Sequence, residues 1–263
     1  MARTVPIHSA ADLVMAKKAA QLAAEVLCMI KPHVVPGVST ETLDQICHDH
    51  IVKVQNAIPA NVGYLGYPKT ILTSVNHEVC HGIPSTNKIL KNGDIVNIDV
   101  AVIKDGWHGD TSRMFCVGTP SAQAQRLVDT TYQALWMAIK QVKPGAHLGD
   151  IGHAIQTVAQ REGFSVVREY CGHGIGQIYH DVPQVLHIGH KGHGLRLETG
   201  MMFTIEPMLN AGGRETIELE DGWTVVTKDR SLSAQWEHMV VVTETGYEVL
   251  TAWPDGNGRY PAI

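Results

Sequence analysis

Four carboxylates set in runs that otherwise read as buried β-structure constrain this chain more than any other feature. From Asp94 to Val117 the sequence reads as a hairpin: an alternating run from Ile95 to Val102, the favoured two-residue turn Asp105-Gly106, then a second alternating run. With those two residues as the loop, Lys104 faces Trp107, Ala101 faces Asp110, and Asp99 lies two residues further along the same face. Asp99 and Asp110 are then diagonal neighbours, about 7 Å apart between backbones, and can converge on one metal site. Val96, Ile98, Val100 and Val102 face the other way, into a core. Two more acids follow in predicted strands: Glu206, held extended by Pro207, and Glu237, leading into Met239-Val240-Val241-Val242.

Four acids in apolar strands cannot all persist as bare anions, because desolvation and mutual repulsion drive their protonation. Salt bridges to arginine are poorly served, since Arg113, Arg168, Arg196, Arg214 and Arg230 are few and none has an evident buried partner. Two divalent cations resolve the conflict: their charges balance the four carboxylates, and a water between them becomes acidic enough to yield hydroxide at neutral pH. That is hydrolytic chemistry. The run Cys171-Gly172-His173-Gly174-Ile175-Gly176 adds an imidazole among glycines that permit close backbone approach, a metal-site or anion-site pattern that is weak alone.

Helical periodicity frames these segments twice. Ser9 and Asp12 can cap a helix whose apolar positions Leu13, Ala16, Ala20, Ala23, Leu27 and Ile30 recur at three and four, ended by Lys31-Pro32. Ser39 or Thr40 can cap a second, with the stripe Leu43, Ile46, Cys47, Ile51 and Val54. The order then returns: Ser121 opens a helix bearing Ala124, Leu127, Val128, Thr131, Leu135, Ala138 and Val142, Lys143-Pro144-Gly145 stops it, and another carries Leu148, Ile151, Ile155 and Val158. Each pair precedes β-rich sequence, which predicts an α+β fold of two similar αβ halves, approximately 9–118 and 119–251. No long polar linker parts them, so a single catalytic domain over 1–263 with a cleft between its halves is expected.

The 44% hydrophobic and 18% charged content excludes wholesale disorder. Lys17, Lys18 and Glu25 interrupt the first apolar stretch, which reads as neither signal peptide nor membrane span. Five cysteines without a CxxC pair suit a reducing compartment, so the protein is expected in the cytoplasm. A net charge of -5 argues against a dedicated nucleic-acid binder, so no DNA partner is expected. Of the fifteen histidines, His8, His33, His48, His50 and His153 read as solvated or packed, and His187, His190 and His193 as a solvated loop.

Asp99, Asp110, His173, Glu206 and Glu237, in that order, resemble the five metal ligands of methionine aminopeptidases. So do the words Gly66-Tyr67-Pro68-Lys69, Cys80-His81-Gly82-Ile83-Pro84, Asn97-Ile98-Asp99, His108-Gly109-Asp110-Thr111-Ser112, Phe203-Thr204-Ile205-Glu206-Pro207 and Glu237-His238. The resemblance runs from residue 9 to residue 251 and implies the compact type I form with a pita-bread fold, two pseudo-symmetric αβ halves with antiparallel sheet and the metal site between them. By the same resemblance Asp99 would chelate one of two divalent ions, Asp110 and Glu237 would bridge both, and His173 and Glu206 would complete the other. Co, Fe, Mn and Zn all suit such a ligand set. Glu206 would also be the general base.

His81 and His180 would contact the scissile amide and stabilise the developing gem-diolate oxygen. Tyr64, Tyr67, Tyr179 and Trp223 would join them in binding substrate, while Asn61 and Leu72 stand where many bacterial relatives carry small thiols. The implied activity is removal of the initiator methionine from N-terminal Met peptides and nascent chains when the second residue is small, by a monomer. Transient ribosome contact belongs to the same expectation, but the acidic segment 214–221 lacks the lysines that docking on ribosomal RNA would use. Two rivals remain: an Xaa-Pro aminopeptidase or prolidase, which shares the ligands, and a metal-free pita-bread binding protein, which should have lost them.

Overall fold

The computed structural model describes residues 4–253. Helix α1 (Ala10–Ile30) starts with a capping box, Ser9 accepting from the Asp12 N–H while the Asp12 carboxylate accepts from that of Ser9. Ser39 caps α2 (Thr40–Asp49) by accepting from the Thr42 N–H. The expected stripe on α2 holds through Ile51 but not to its end. The chain continues as a π-helical turn over His50–Val54, whose wider winding rotates the face, and Val54 is 71% exposed.

The first sheet is built on β1 (Ile71–Val75), β2 (Ile95–Lys104) and β3 (Trp107–Cys116), all antiparallel. β2 pairs with β1 and with the short Ile58–Pro59 strand on one edge and with β3 on the other. The register follows from the turn as expected, with Lys104 opposite Trp107, Ala101 opposite Asp110 and Asp99 opposite Ser112. Asp105 and Gly106 both take positive φ, as a two-residue hairpin loop requires. α1 lies across β2 and β3. Contact is closest at Gly109, where a Cβ would stand 2.3 Å from the Ala19 and Ala20 backbone, so the helix is seated beside Asp110.

Ser121 caps α3 (Ala122–Ile139), which packs against α4 (Leu148–Arg161). The following strands are β4 (Gly172–Gly174), β5 (Asp181–Val185), β6 (Met202–Ile205), β7 (Met208–Asn210), β8 (Ser233–Gln235), β9 (His238–Val242) and β10 (Tyr247–Val249). Five of them form an antiparallel sheet in the order β10-β9-β6-β4-β5. β7 and β8 form a separate sheet with Ser165–Val166. All four helices and both principal sheets contribute to one apolar core that includes Leu27, Leu43, Ile98, Leu135, Ile155 and Phe203. The five cysteines are free thiols, and among the described residues no helix is long and apolar enough to cross a membrane.

The loop after β5 departs from the solvated reading. His187 is 2% exposed and neither of its ring nitrogens has a hydrogen-bond partner. α4 explains this, because its Gly152 lets the loop lie directly on the helix: a Cβ there would stand 2.3 Å from the Ile188 carbonyl oxygen. His190 and His193 are exposed as expected.

Candidate metal centre

Asp99, Asp110, His173, Glu206 and Glu237 all line one cavity of about 370 Å³. Asp99 and Asp110 reach it as the diagonal pair on β2 and β3. The glutamates arrive differently from the expectation, since neither lies inside a strand. Glu206 sits between β6 and β7, and Glu237 between β8 and β9, where the chain passes between the five-stranded sheet and the smaller one. Ile205 pairs with His238 and Met208 with Gln235, so continuing either register through the gap sets Glu206 opposite Glu237. Pro207 has no N–H to donate at this point, and the ladder opens.

The opened ladder is tied to the first sheet. The Glu237 N–H donates to the Ser112 carbonyl oxygen at 3.1 Å, the Thr111 hydroxyl to the Glu237 carbonyl oxygen at 2.8 Å, and Asn97 Nδ2 to the Gln235 carbonyl oxygen at 2.8 Å. These bonds carry the glutamates of the second half to the aspartates of the first. His173 comes in on β4, hemmed by glycines for the expected reason. A Cβ at Gly172 would stand 2.3 Å from the Thr204 carbonyl oxygen and one at Gly174 2.0 Å from that of Val182.

With its Nδ1–H donated to the Gly174 carbonyl oxygen at 3.0 Å, His173 turns Nε2 towards the acids, the orientation of a metal ligand. Nε2 lies 3.4 Å from Asp110 Oδ2 and 3.8 Å from Glu206 Oε1. Asp110, His173 and Glu237 each offer a ligand atom within 4.8 Å of the others. Glu206 adjoins that trio through His173, and Asp99 adjoins it through its diagonal place beside Asp110.

The electrostatics show a site short of positive charge. Burial raises the Asp99 pKa well above the carboxylate range, helped by Asp110 and Glu206, and raises Glu237 with help from Asp110, Glu206 and Asp99. Burial pushes Glu206 up to about 7 against the opposing pull of His173. For His173 burial acts downward, but the Asp110 bond and the Glu206 charge carry its pKa above the ordinary value. No lysine or arginine is among the described lining residues, and Asp99 Oδ1 and Asp110 Oδ1 are buried with no hydrogen-bond partner. Buried oxygen donors without partners, plus one imidazole, fit divalent cations and fit little else.

The remaining site candidates, Tyr64, Tyr67, His81, Tyr179, His180 and Trp223, line the same cavity, as do Asn61 and Leu72. His81 holds a left-handed backbone with φ 59 and packs edge-on to Tyr170 and Trp223. Burial lowers its pKa to about 4. The His180 ring centroid lies 4.1 Å from that of His173, and desolvation followed by that neighbour lowers its pKa to about 4, although the residue is partly open to solvent. Both imidazoles are therefore neutral at neutral pH. Sequence reasoning missed Thr204 and Gln235, which hold Glu206 by donating to Oε1 at 3.0 Å and to Oε2 at 3.2 Å. Each stands two residues before a site glutamate, and that spacing was the available signal. Leu65, Glu169, Tyr170 and Cys171 complete the lining and were likewise not singled out as substrate contacts.

Residues 15–244 match the model of metallopeptidase family M24. The chain is 56% identical over 259 residues to the methionine aminopeptidase of Escherichia coli (strain K12), covering 98% of this chain and 97% of that one. It superposes on the crystal structure of methionine aminopeptidase from Rickettsia prowazekii with a TM-score of 0.93 at 53% identity, over 94% of this chain and 100% of that one. The prolidase from Pyrococcus furiosus shares the fold at a TM-score of 0.74, but at 19% identity and with only 65% of its chain covered.

Proposed function

The chain belongs to the methionine aminopeptidases of metallopeptidase family M24 and has their pita-bread fold, and from that premise we propose that its cleft removes the initiator methionine from nascent polypeptides whose second residue is small. It acts as one catalytic domain with pseudo-halves 9–118 and 119–251, as a monomer in the cytoplasm. Asp99 would hold one of two divalent ions, Asp110 and Glu237 both, and His173 with Glu206 the other. Bound there, Co, Fe, Mn or Zn would supply Lewis acidity towards the scissile carbonyl and lower the pKa of water.

The chain's own groups do the rest. Glu206, fixed by Thr204 and Gln235, accepts the proton of the attacking water on its carboxylate and returns it to the departing amine. His81 and His180, neutral in the cleft, would offer ring nitrogens, one to the scissile amide and the other to the oxygen that gains negative charge as its carbon becomes tetrahedral. Tyr64, Tyr67, Tyr179 and Trp223 surround the methionine side chain. Tyr67 directs its hydroxyl to the Ile71 and Gly82 carbonyl oxygens, leaving its ring for apolar contact. Ribosome contact gains nothing from segment 214–221, which is acidic.

The observation that carries this reading is the meeting of four carboxylates and one imidazole in a cavity whose described lining has no basic side chain but histidine. Peptide preference tests it. Met-Ala-Ser is expected to be cleaved about a hundredfold better than Ala-Pro-Ala, the scale on which side-chain pockets discriminate. Preference for Ala-Pro-Ala would instead assign the chain to the proline-directed branch of the fold.

A further inference from the structure

His81 reaches the cleft from a strained backbone. It takes φ 59, a left-handed conformation that a residue with a Cβ keeps only where its surroundings impose it. Among the described residues no hydrogen bond holds its ring, which goes where the backbone and its edge-on neighbours Tyr170 and Trp223 direct it. The place of this imidazole is therefore set by whatever braces residues 75–88.

The brace starts at Glu78, which is only 8% exposed and whose two carboxylate oxygens have separate partners. Oε2 accepts from the Val75 N–H at 2.7 Å, closing the turn before the short Glu78–Cys80 strand, while Oε1 accepts from Lys88 Nζ at 2.5 Å. Lys88 is anchored in turn, since its carbonyl oxygen accepts from the Thr40 N–H, at the start of α2, at 2.9 Å. Beyond His81, Gly82 packs so tightly that a Cβ there would stand 2.2 Å from the Thr73 carbonyl oxygen and 3.1 Å from Glu78 Oε2. One carboxylate thus reaches both ends of the segment that carries His81.

Lys88 also acts on the segment that carries Trp223. Asp221 accepts from the Trp223 N–H at 2.9 Å and the Thr224 N–H at 2.8 Å. Burial acts upward on its carboxyl, but its bonds to Thr224 and Trp223, with the Lys88 charge, keep its pKa below the ordinary value. Val225 pairs with Cys80, so His81 and Trp223 flank one rung of the same ladder.

We propose that Glu78 and Lys88 form a positioning pair, whose ion pair ties the His81 loop to α2 and holds that imidazole in its working place in the cleft. This rests on the methionine aminopeptidase reading. Neither residue lines the cavity, so both act through His81 and not on the substrate. Removing the lysine leaves a buried carboxylate uncompensated, which then turns to water and releases Val75 and Gly82.

The test is a double-mutant cycle on Met-Ala-Ser hydrolysis, with rates expressed per metal-loaded site counted by calorimetric titration. Lys88→Met and Glu78→Gln are each expected to lower kcat/KM about 30-fold, between the cost of one charged hydrogen bond and that of misplacing a reacting group by an ångström. The two together should cost no more than about threefold beyond either alone. In a His81→Ala background Lys88→Met should likewise cost no more than about threefold, because no imidazole remains to be placed; a merely structural role would cost the same with and without His81. Histidine-labelled, zinc-loaded protein gives a readout without turnover. The His81 resonance, identified by its loss in His81→Ala, should move in Lys88→Met while those of the exposed His190 and His193 stay. Lys88→Met within threefold of wild type, an equal loss in both backgrounds or an unmoved resonance would overturn the pair, while wild-type cleavage of Met-Ala-Ser keeps the parent reading. A wild-type protein that ignores Met-Ala-Ser overturns both.

Discussion

Replacing Glu206 with glutamine is expected to lower turnover of Met-Ala-Ser by about 10³-fold, within the range assigned to a positioned general base. The substitution keeps shape and burial, so its cost falls on proton transfer and charge. Thr204 and Gln235 hold both oxygens of Glu206 in place, so its carboxylate is fixed to take a proton from water and pass it on. Thr204→Val, which removes one of the two bonds and leaves the carboxylate, should cost about 10-fold, the scale of one hydrogen bond to a charged group. Steady-state hydrolysis decides the matter: a Glu206→Gln enzyme within threefold of wild type, or Thr204→Val costing more than Glu206→Gln, would remove Glu206 from the role of base.

Stripping metal should change how stability depends on pH. In the metal-free protein Asp99, Glu206 and Glu237 carry folded-state pKa values above their unfolded values. A raised carboxylate stabilises fully below its unfolded pKa, about 4, and that contribution is lost as pH climbs through the folded value, about 7 for Glu206. Cations reverse the dependence, because they bind the ionised ligands and compete with protons. The melting-temperature gap between loaded and stripped protein should therefore widen from pH 5.5 to pH 8. At metal a hundredfold above Kd, linkage contributes about 2.7 kcal/mol, or at least about 5 °C for a chain of this size. His187 and His238, whose burial lowers their pKa to about 3, weaken both forms alike as pH falls below their unfolded value and cancel in the difference. A gap that stays flat or narrows would contradict the assignment.

The aspartate pair was legible in the sequence because it depends on local rules. Asp105-Gly106 sets the turn, the turn sets the register, and a period of two puts Asp99 and Asp110 on one face. The helix caps at Ser9, Ser39 and Ser121 were legible for the same reason. Glu206 and Glu237 could be found as acids out of place, but not as residues of an opened ladder. That opening depends on the pairing of β6 with β9 and of β7 with β8, contacts between segments far apart in the chain. His187 was misread because its burial comes from α4 seating glycines against the loop, a packing fact that polar composition conceals. Val54 was lost to a π turn that no periodicity announces. Thr204 and Gln235 lie one step further from the sequence, since each matters through another side chain.

What everything here depends on is that acids from both halves, with His173, form a container for paired cations. Anaerobic calorimetric titration of the stripped protein with Mn or Co measures this without any substrate. Two equivalents should bind to the wild-type chain, and Asp110→Ala, which removes the carboxylate proposed to serve both positions, should weaken both. A stripped chain that takes up no ion, or an Asp110→Ala chain that binds as the wild type does, would contradict the account.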